Sequence, residues 1–492
     1  MVSKRKNQTM LFRNFFFIFF SVTILSIVRE GYAQGNSFED SLRLAVDIPE
    51  QVTINNIFVV GNQKTRKNII LRELNISPGL TYDWEELISI IEADQKKVFN
   101  LLLFNSVEIT PLITGDEQIE ILVTVDERRY FIPSPIFELA DRNFAEWWTN
   151  QNRSLKRVNY GARFYHNNVG GRNEKLRLTT QFGFTQAFDL LYSFPFIDRK
   201  QKHGLAFQFS YLTNKTIAVR SANNRQVFYT NENEDVLRRN FSSFIRYSYR
   251  GSFYNFHFVT LGYNNIRINE DVFTQNENYF LHGDNTLSNF VASYNFRHDR
   301  RNYNAYPTQG ALLNLGLTKF GLFGFDDFKD WEFTAIANRY WELNDKFHLA
   351  SGLTVNSFFG KRQPFTSVRG IGYMPNFVRG YEFNVIEGQQ LLVHKNSLRF
   401  KLLDLEYAIA DFVPLDGFST LPIKLYLSGN FDHGYVNDRN RLPENLRLTN
   451  KYLFGYGPGL DLVIFYDIVF RLEYSMNNLG EGNFFFNFKA PF

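Results

Sequence analysis

Apolar and polar side chains alternate in short stretches along most of the chain after residue 136. In residues 347–356, for example, Phe347, Leu349, Leu353 and Val355 occupy alternate positions, and residues 175–185 repeat the pattern. Successive side chains of a β-strand point to opposite faces, so each stretch predicts a ribbon with one apolar and one polar face. About ten such residues suit a strand that crosses a bilayer within a barrel. The predicted fold of residues 131–492 is therefore an all-β, antiparallel transmembrane barrel, and a soluble β-sandwich is the alternative.

The preceding segment, residues 51–130, shows a different pattern that predicts a small α/β domain. A β-rich stretch ends at the turn pair Gly61-Asn62. Thr65 is predicted to cap a first helix that runs to about Leu74. Asp83, with Glu86 three residues later, predicts the capped start of a second helix. Two strands are predicted at 107–112 and 119–125, so the expected order is βααββ.

The first 33 residues have the features of a secretory signal. Four basic residues precede an apolar run at 15–28, and Gly31-Tyr32-Ala33 offers a cleavage site after Ala33. The alternative is a membrane anchor, but 14 apolar residues are short for a span. The segment 1–33 carries five Lys or Arg and one Glu, which accounts for the net charge of +4 of the whole chain. Residues 34–50 are a polar lead-in.

Composition excludes several classes of function. The chain has no cysteine, which excludes disulfides and thiolate metal sites. Its eight histidines are scattered without a metal-ligand spacing, and Ser-hydrolase and phosphate-binding motifs are absent. The near-zero charge of the mature chain gives no support for nucleic-acid binding. We therefore expect no catalytic residue, no metal and no cofactor. Aromatic residues make up 17% of the chain, which is typical of the girdles of membrane barrels.

Three groups of residues in the α/β segment resemble POTRA domains, the periplasmic modules of the BamA and two-partner-secretion transporter superfamily. They are 57–62 (IFVVGN), 71–74 (LREL) followed by Pro78-Gly79, and 103–107 (LFNSV). In the last group Leu102 stands where the family usually has Gly. The resemblance implies one POTRA-like domain followed by a barrel of 16 strands.

Val378-Arg379-Gly380-Tyr381 resembles the lid-loop motif of the same superfamily. The resemblance implies a long loop that folds back into the barrel, where Arg379 reaches acidic residues of the inner wall. A guanidinium suits this role because it stays charged and presents a rigid fork of donors to carboxylates. A second VRG tripeptide, at 368–370, continues as Ile-Gly-Tyr and fits the motif less well.

Two acidic residues are predicted as partners of Arg379. Residues 423–434 alternate so that Asp432 shares the polar, inward face, and 431–434 (FDHG) resembles a strand motif of the family with the aromatic residue displaced. Glu406 is the second candidate, because 405–407 (LEY) resembles the acidic strand after the lid loop. A further resemblance spans Arg297, Asp299, Pro307 and Gly310, with Arg297 and Asp299 as an inward charged motif.

The C-terminus predicts an amphipathic last strand. Phe484, Phe486, Phe488 and Phe492 fall on one face of this strand, and the residues between them fall on the other. Outer-membrane barrels commonly present such a strand to their assembly machinery, so we interpret these phenylalanines as a C-terminal strand signal.

The resemblance implies a non-enzymatic protein of the bacterial outer membrane, in contact with the lipid bilayer and with its POTRA-like domain in the periplasm. The expected function is an assembly or insertion factor for β-barrel clients. Expected partners are unfolded outer-membrane or secreted proteins and periplasmic or lipoprotein accessory subunits, with no nucleic acid. The alternatives are a translocation pore for a dedicated secreted partner and a simple porin. One POTRA-like domain fits neither multi-domain assembly factors nor two-domain secretion transporters, so the client stays open.

Overall fold

The computed structural model describes residues 50–487, apart from 116, 142–143, 199, 234, 282, 374, 409–419, 442 and 465–467. The predicted signal segment and nearly all of the lead-in therefore lie outside the described residues. So do Phe488 and Phe492 of the predicted C-terminal signal. The predicted domain limits and the signal peptide stay predictions.

The N-terminal domain is a four-stranded sheet covered by two helices. Its elements are β1 (Gln51–Val60), α1 (Lys67–Leu71), β2 (Thr81–Asp83), α2 (Trp84–Phe99), β3 (Phe104–Ile113) and β4 (Gln118–Glu127). The strand order is β2-β1-β4-β3, with β1 and β4 parallel and the other pairs antiparallel. Consequently β3, with ten residues, is the long edge of this sheet.

Alternating inward residues form the core of this domain. Ile54 of β1, Ile119 and Ile121 of β4, and Leu87 and Val98 of α2 are fully buried. As predicted, Asp83 caps α2, since its carboxylate accepts hydrogen bonds from the backbone N–H groups of the next turn.

Two details of the predicted domain are wrong. The structure adds the short strand β2 between the helices. Its three residues are too few to show a periodic pattern in the sequence. Thr65 does not cap α1, which spans only Lys67–Leu71 and has Arg66 at its N-cap position without a side-chain cap. The Thr65 hydroxyl instead pairs with the hydroxyl of Tyr130 at 2.8 Å, because both are buried where this domain meets the barrel.

The remaining chain forms one 16-stranded antiparallel sheet, which confirms the predicted fold class. Its strands are β5 (Phe131–Leu139), β6 (Val158–Asn167), β7 (Lys175–Gly183), β8 (Thr185–Phe194), β9 (His203–Asn214), β12 (Arg238–Arg250), β13 (Asn255–Ile268), β14 (Thr286–Asp299), β15 (Gly310–Phe320), β16 (Asp330–Glu342), β17 (Phe347–Phe358), β18 (Gln390–Ala408), β19 (Thr420–Asn437), β20 (Tyr452–Ile464), β21 (Ile468–Asn477) and β22 (Gly482–Asn487). A separate hairpin, β10 (Thr216–Ala222) and β11 (Arg225–Thr230), lies between β9 and β12.

Side-chain exposure follows the predicted alternation. On β19 Leu427 and Phe431 are exposed on the outside, whereas Ser428, Asn430 and Asp432 are buried inside. The stretch 175–185 differs from the prediction, because β7 ends at Gly183 and a tight turn starts the next strand at Thr185. The alternation continued through this turn in the sequence because only one residue separates the two strands.

The strands β5 and β22 are the two edges of the sheet, and no β-pairing joins them within the described residues. A short helix, α3 (Phe144–Thr149), follows β5 and packs against β22. The first and last strands therefore lie on the same side of the molecule, as in a sheet curled into a barrel. We call the boundary between β5 and β22 the seam.

The two ends of the barrel differ in their connections. The end next to the N-terminal domain, called the near rim, has turns such as 168–174 and 300–309. The opposite end, called the far rim, has the longer loops, which include the β10–β11 hairpin, α4 (Glu270–Gln275) and the loop 359–389. No helix in the described part of the chain is both long and apolar enough to cross a membrane.

Candidate functional site

The loop 359–389 connects β17 to β18 and folds into the barrel, and we call it the lid. Its Arg379 is only 5% exposed. The Nη1 group of Arg379 donates to Oδ1 of Asp432 on β19 at 2.6 Å, and the backbone N–H of Arg379 donates to the other carboxylate oxygen at 3.3 Å. The structure therefore brings together Arg379 and Asp432, the first of its two predicted partners.

A second carboxylate, Glu473 on β21, binds the other side of the same guanidinium. Nε of Arg379 donates to Oε1 of Glu473 at 2.8 Å. Glu473 was not among the predicted partners. Its signal was present in the sequence, because Arg471, Glu473 and Ser475 alternate with the apolar residues of β21 and are all buried inside the barrel.

The prediction of Glu406 as a partner of Arg379 is wrong. Glu406 lies near the end of β18 at the near rim and pairs in register with Pro422. Asp432 pairs instead with Lys395 of β18, which lies eleven residues before Glu406 on that strand. At about 3.3 Å per residue, Glu406 is roughly 35 Å from the level of Arg379. The motif identified the strand after the lid but not the depth of its acidic residue in the barrel.

Close backbone contacts hold the tip of the lid against the wall. Gly380 has φ +81, and a Cβ at this position would lie 2.6 Å from the backbone nitrogen of Asn477. A Cβ at Gly455 of β20 would lie 1.7 Å from the carbonyl oxygen of Arg379. Both glycines are therefore required by the close approach of the lid to β20 and β21. The side chains flanking this tip, Val378 and Tyr381, are fully buried.

The second VRG tripeptide does not reach the carboxylates. The guanidinium of Arg369 stacks over the ring of Tyr373 at 4.5 Å, so its contact remains within the lid.

At the far rim, Glu387 of the lid accepts a hydrogen bond from Ser221 at 2.9 Å and another from Tyr373. Burial raises the pKa of Glu387, and these hydrogen bonds oppose that rise.

A row of buried charged groups continues from the lid toward the near rim. Arg471, on the same strand as Glu473, lies 3.6 Å from it and forms a two-pronged contact at 2.6 and 2.9 Å with Asp461 of β20. The hydroxyl of Tyr306, in the near-rim turn 300–309, donates to Asp461 at 2.6 Å. We call Glu473, Arg471 and Asp461 the ionic row. It contacts the lid at one end and a near-rim turn at the other.

Further contacts seat the turn 300–309 inside the barrel. Arg399 of β18 lies over the ring of Tyr306 at 4.3 Å and donates to the carbonyl oxygen of Pro307 at 2.9 Å. The ring of Tyr426 on β19 lies 4.8 Å from that of Tyr306. This turn therefore crosses from β14 and β15 to the wall formed by β18–β20.

Arg297 and Asp299, the predicted inward charged motif, form an ion pair at the start of this turn. Arg301 adds a second ion pair to Asp299 at 2.8 Å. Asp299 is thus shared by two arginines and fixes the start of the turn. The sequence placed these residues inside the barrel, but it did not reveal that the turn they anchor reaches across it.

The N-terminal domain is fixed to the near rim by an ionic contact. Arg250, at the end of β12, donates two hydrogen bonds to the carboxylate of Glu73, at 2.6 and 2.7 Å. Arg72 also lies 3.1 Å from Glu73 and donates to the carbonyl oxygen of Gln201. Burial lowers the pKa of Arg72 to about 10, although the negative charge of Glu73 raises it. Arg72 therefore stays protonated at neutral pH.

Of the predicted C-terminal signal, Phe484 and Phe486 lie within the described residues. Both are exposed on the outside of β22, at 68% and 39%, whereas Phe485 between them is buried and packs against Phe383 of the lid. The orientation agrees with the predicted alternation, and the role as an assembly signal stays a prediction. In the part of the chain described, no group of three metal-ligating side chains occurs.

The chain belongs to the Omp85 superfamily, whose domain model matches residues 168–464. Residues 52–128 match a POTRA model described as a surface antigen variable number repeat. Members of this superfamily are outer-membrane transporters and insertases with periplasmic POTRA domains. The family assignment from the sequence is thus confirmed.

Two solved structures show the same fold. BamA from Haemophilus ducreyi, lacking POTRA domains 1–3, is 15% identical with a TM-score of 0.52, over 88% of this chain and 84% of that one. CdiB from Escherichia coli is 12% identical with a TM-score of 0.54, over 88% and 75% of the two chains. No curated protein matches the chain.

Proposed function

We propose that this protein inserts β-barrel clients into the bacterial outer membrane, with the near rim facing the periplasm. The observation that carries the proposal is the seam, where β5 and β22 are edge strands without a pairing between them in the described residues. An edge strand exposes unpaired backbone N–H and C=O groups that can template the strand of another chain.

The N-terminal domain offers a second edge for the same clients. β3 ends the POTRA sheet, and its ten residues have no neighbouring strand on one side within the described chain. β-Augmentation there would hold an unfolded client next to the near rim. In this proposal the lid closes the lumen while the seam receives the client.

The second candidate is a translocation pore for a secreted partner. It is supported by the fold shared with CdiB and by an open cavity of about 860 Å³ beside the near rim. In that case the client would pass through the lumen after the lid moves, rather than leave through the seam.

The test is site-specific photo-crosslinking in cells, with the reactive amino acid placed at Glu108, an exposed position of β3. Many outer-membrane barrel proteins crosslinked at Glu108 are expected for an insertion factor. A single exported protein would favour the pore instead. The matched control is Glu85, exposed on the first turn of α2 and remote from the β3 edge. Equal crosslinking at both positions would contradict a role for this edge.

A further inference from the structure

The near-rim cavity lies between α2 of the POTRA domain and the inner wall of β7, β8 and β12–β14, and we call it the vestibule. Its volume is about 860 Å³, within the usual range for ligand sites. The lid and the ionic row lie against β18–β21 instead. The turn 300–309 lines the vestibule and also packs against β18 and β19.

The lining of the vestibule is strongly basic. Nine lysine or arginine residues line it, against only Glu73, Glu92 and Asp299. Glu73 is already shared by Arg72 and Arg250, and Asp299 is already shared by two arginines. Lys97 pairs with Asp94 at 2.7 Å. The remaining lining cations still outnumber the carboxylates, so the vestibule keeps an excess of positive charge. A recess with low-dielectric walls and charge of one sign concentrates ligands of the opposite sign.

Three lysines present this charge to the open space. Lys96 lies on α2, Lys175 starts β7, and Lys202 ends the turn before β9. All three are exposed, and within the described residues none of them forms an ion pair. Three of the five arginines that line the vestibule hold carboxylates: Arg250 binds Glu73, and Arg297 and Arg301 bind Asp299. The other two lie over aromatic rings, Arg300 over Tyr254 and Arg339 over Trp341.

An aromatic floor lies beside these lysines. Phe256 and Phe258 of β13 both point inward and stack with their ring centroids 6.4 Å apart. The lining thus combines separated ammonium groups with an apolar surface. An extended polypeptide whose carboxylates alternate with apolar side chains has one acidic face and one apolar face. The acidic face would pair with the lysines, and the apolar face would pack on the phenylalanines.

We propose that the vestibule binds a carboxylate-rich segment of the client polypeptide in extended form. The proposal deepens and rests on the proposed function, in which the client is a protein. A compact phosphate fits less well, because phosphate recognition uses the arginine fork. Three of the five lining arginines already hold carboxylates, and Arg300 and Arg339 lie over aromatic rings. Three lysines on three different elements suit several separated carboxylates along one chain.

The test measures binding of a fluorescent ten-residue peptide of alternating Glu and Leu to the purified full-length protein in detergent. We expect the Glu peptide to bind at least tenfold more tightly than the same peptide with Gln in place of Glu. The affinity for the Glu peptide should also fall with salt. Equal affinity for the two peptides would overturn the proposal without any variant being made.

A triple variant, Lys96→Gln with Lys175→Gln and Lys202→Gln, locates the site. It should weaken the Glu peptide at least tenfold, whereas Lys346→Gln, an exposed near-rim lysine outside the vestibule, should leave binding unchanged. Unchanged binding in the triple variant would place the peptide elsewhere and overturn the proposal. Displacement of the peptide by millimolar inorganic phosphate would assign a compact anion instead.

Failure of this proposal can be told apart from failure of the proposed function. Peptide binding is measured on the isolated protein and needs no insertion or transport. Crosslinking at Glu108 reports clients in cells and does not depend on the vestibule lysines. Crosslinked clients without selective binding of the Glu peptide would refute only the vestibule. Selective binding without crosslinked clients would refute the proposed function and leave the vestibule as a site for carboxylate-rich peptides that are not insertion clients.

Discussion

The two sides of the barrel lumen contrast in how their charges are used. Against β18–β21, the filled side, every member of the ionic row has a partner of opposite charge, and the group is sealed by the lid and the turn 300–309. Against β7–β14, the open side, Lys175 and Lys202 face a cavity of about 860 Å³ without ion-pair partners in the described chain. Charges buried in pairs fix structure, whereas charges facing solvent remain available to a ligand.

The largest effect is expected from Arg379→Ala on the filled side. The change leaves Asp432 and Glu473 buried without their shared guanidinium, and such a loss costs about 3–5 kcal/mol. We expect a lower free energy of unfolding in detergent and a raised conductance in planar bilayers. Arg369→Ala is the matched control, since the guanidinium of Arg369 stacks on Tyr373 within the lid, whereas Asp432 and Glu473 pair with Arg379. Equal effects of the two variants would disprove the specific lock at Arg379.

A smaller effect is expected from Tyr306→Phe, which removes one hydrogen bond to the buried Asp461. Loss of a donor to a buried polar group costs about 1–3 kcal/mol. The turn 300–309 should then open, and protease cleavage within it should become faster in the purified protein. Tyr303→Phe, in the same turn but exposed, serves as the control. Unaltered cleavage of the Tyr306 variant would mean that this hydrogen bond does not seat the turn.

The lid and the turn should be energetically coupled through the ionic row. Combining Arg379→Ala with Tyr306→Phe should give a free energy of unfolding that departs from additivity by about 0.5–3 kcal/mol, as for residues in one ionic network. A double-mutant cycle measures this departure. Additivity within about 0.5 kcal/mol would show that the lid and the near-rim turn act independently.

The smallest effect on stability is expected on the open side. Lys175→Gln and Lys202→Gln alter side chains without ion-pair partners in the described residues, so each should change the free energy of unfolding by no more than about 0.5 kcal/mol. The measurement is denaturant unfolding beside the Arg379→Ala variant. A loss comparable to that of Arg379→Ala would remove the distinction between the two sides.

Much of the architecture was predictable because its signals are local. Alternation indicated barrel strands, and Asp83 indicated the start of α2. The same alternation placed Asp432, Arg297 and Asp299 inside, as the structure does. Short elements escaped prediction for the same reason, since the three residues of β2 and the one-residue turn after Gly183 carry too little periodic signal.

The candidate site was predicted only in part. Arg379 and Asp432 were predicted from a motif and from parity. Glu406 was predicted because 405–407 resembles the acidic strand after the lid, and Glu473 was not among the predicted partners. Closeness to the lid along the chain does not indicate closeness in the barrel, since the strand register places Glu406 at the near rim. Glu473 shares the level of the lid although 94 residues separate it from Arg379.

By itself the sequence determined which side chains face the lumen and which face outward, because a period of two is a property of the strand alone. It also determined the arginine of the lid. Only the tertiary structure decided how deep each inward side chain lies, because depth depends on the register between strands and on how far each loop folds back. That register placed Arg379 between Asp432 and Glu473, extended the ionic row to Tyr306, and left the lysines of the vestibule facing open space.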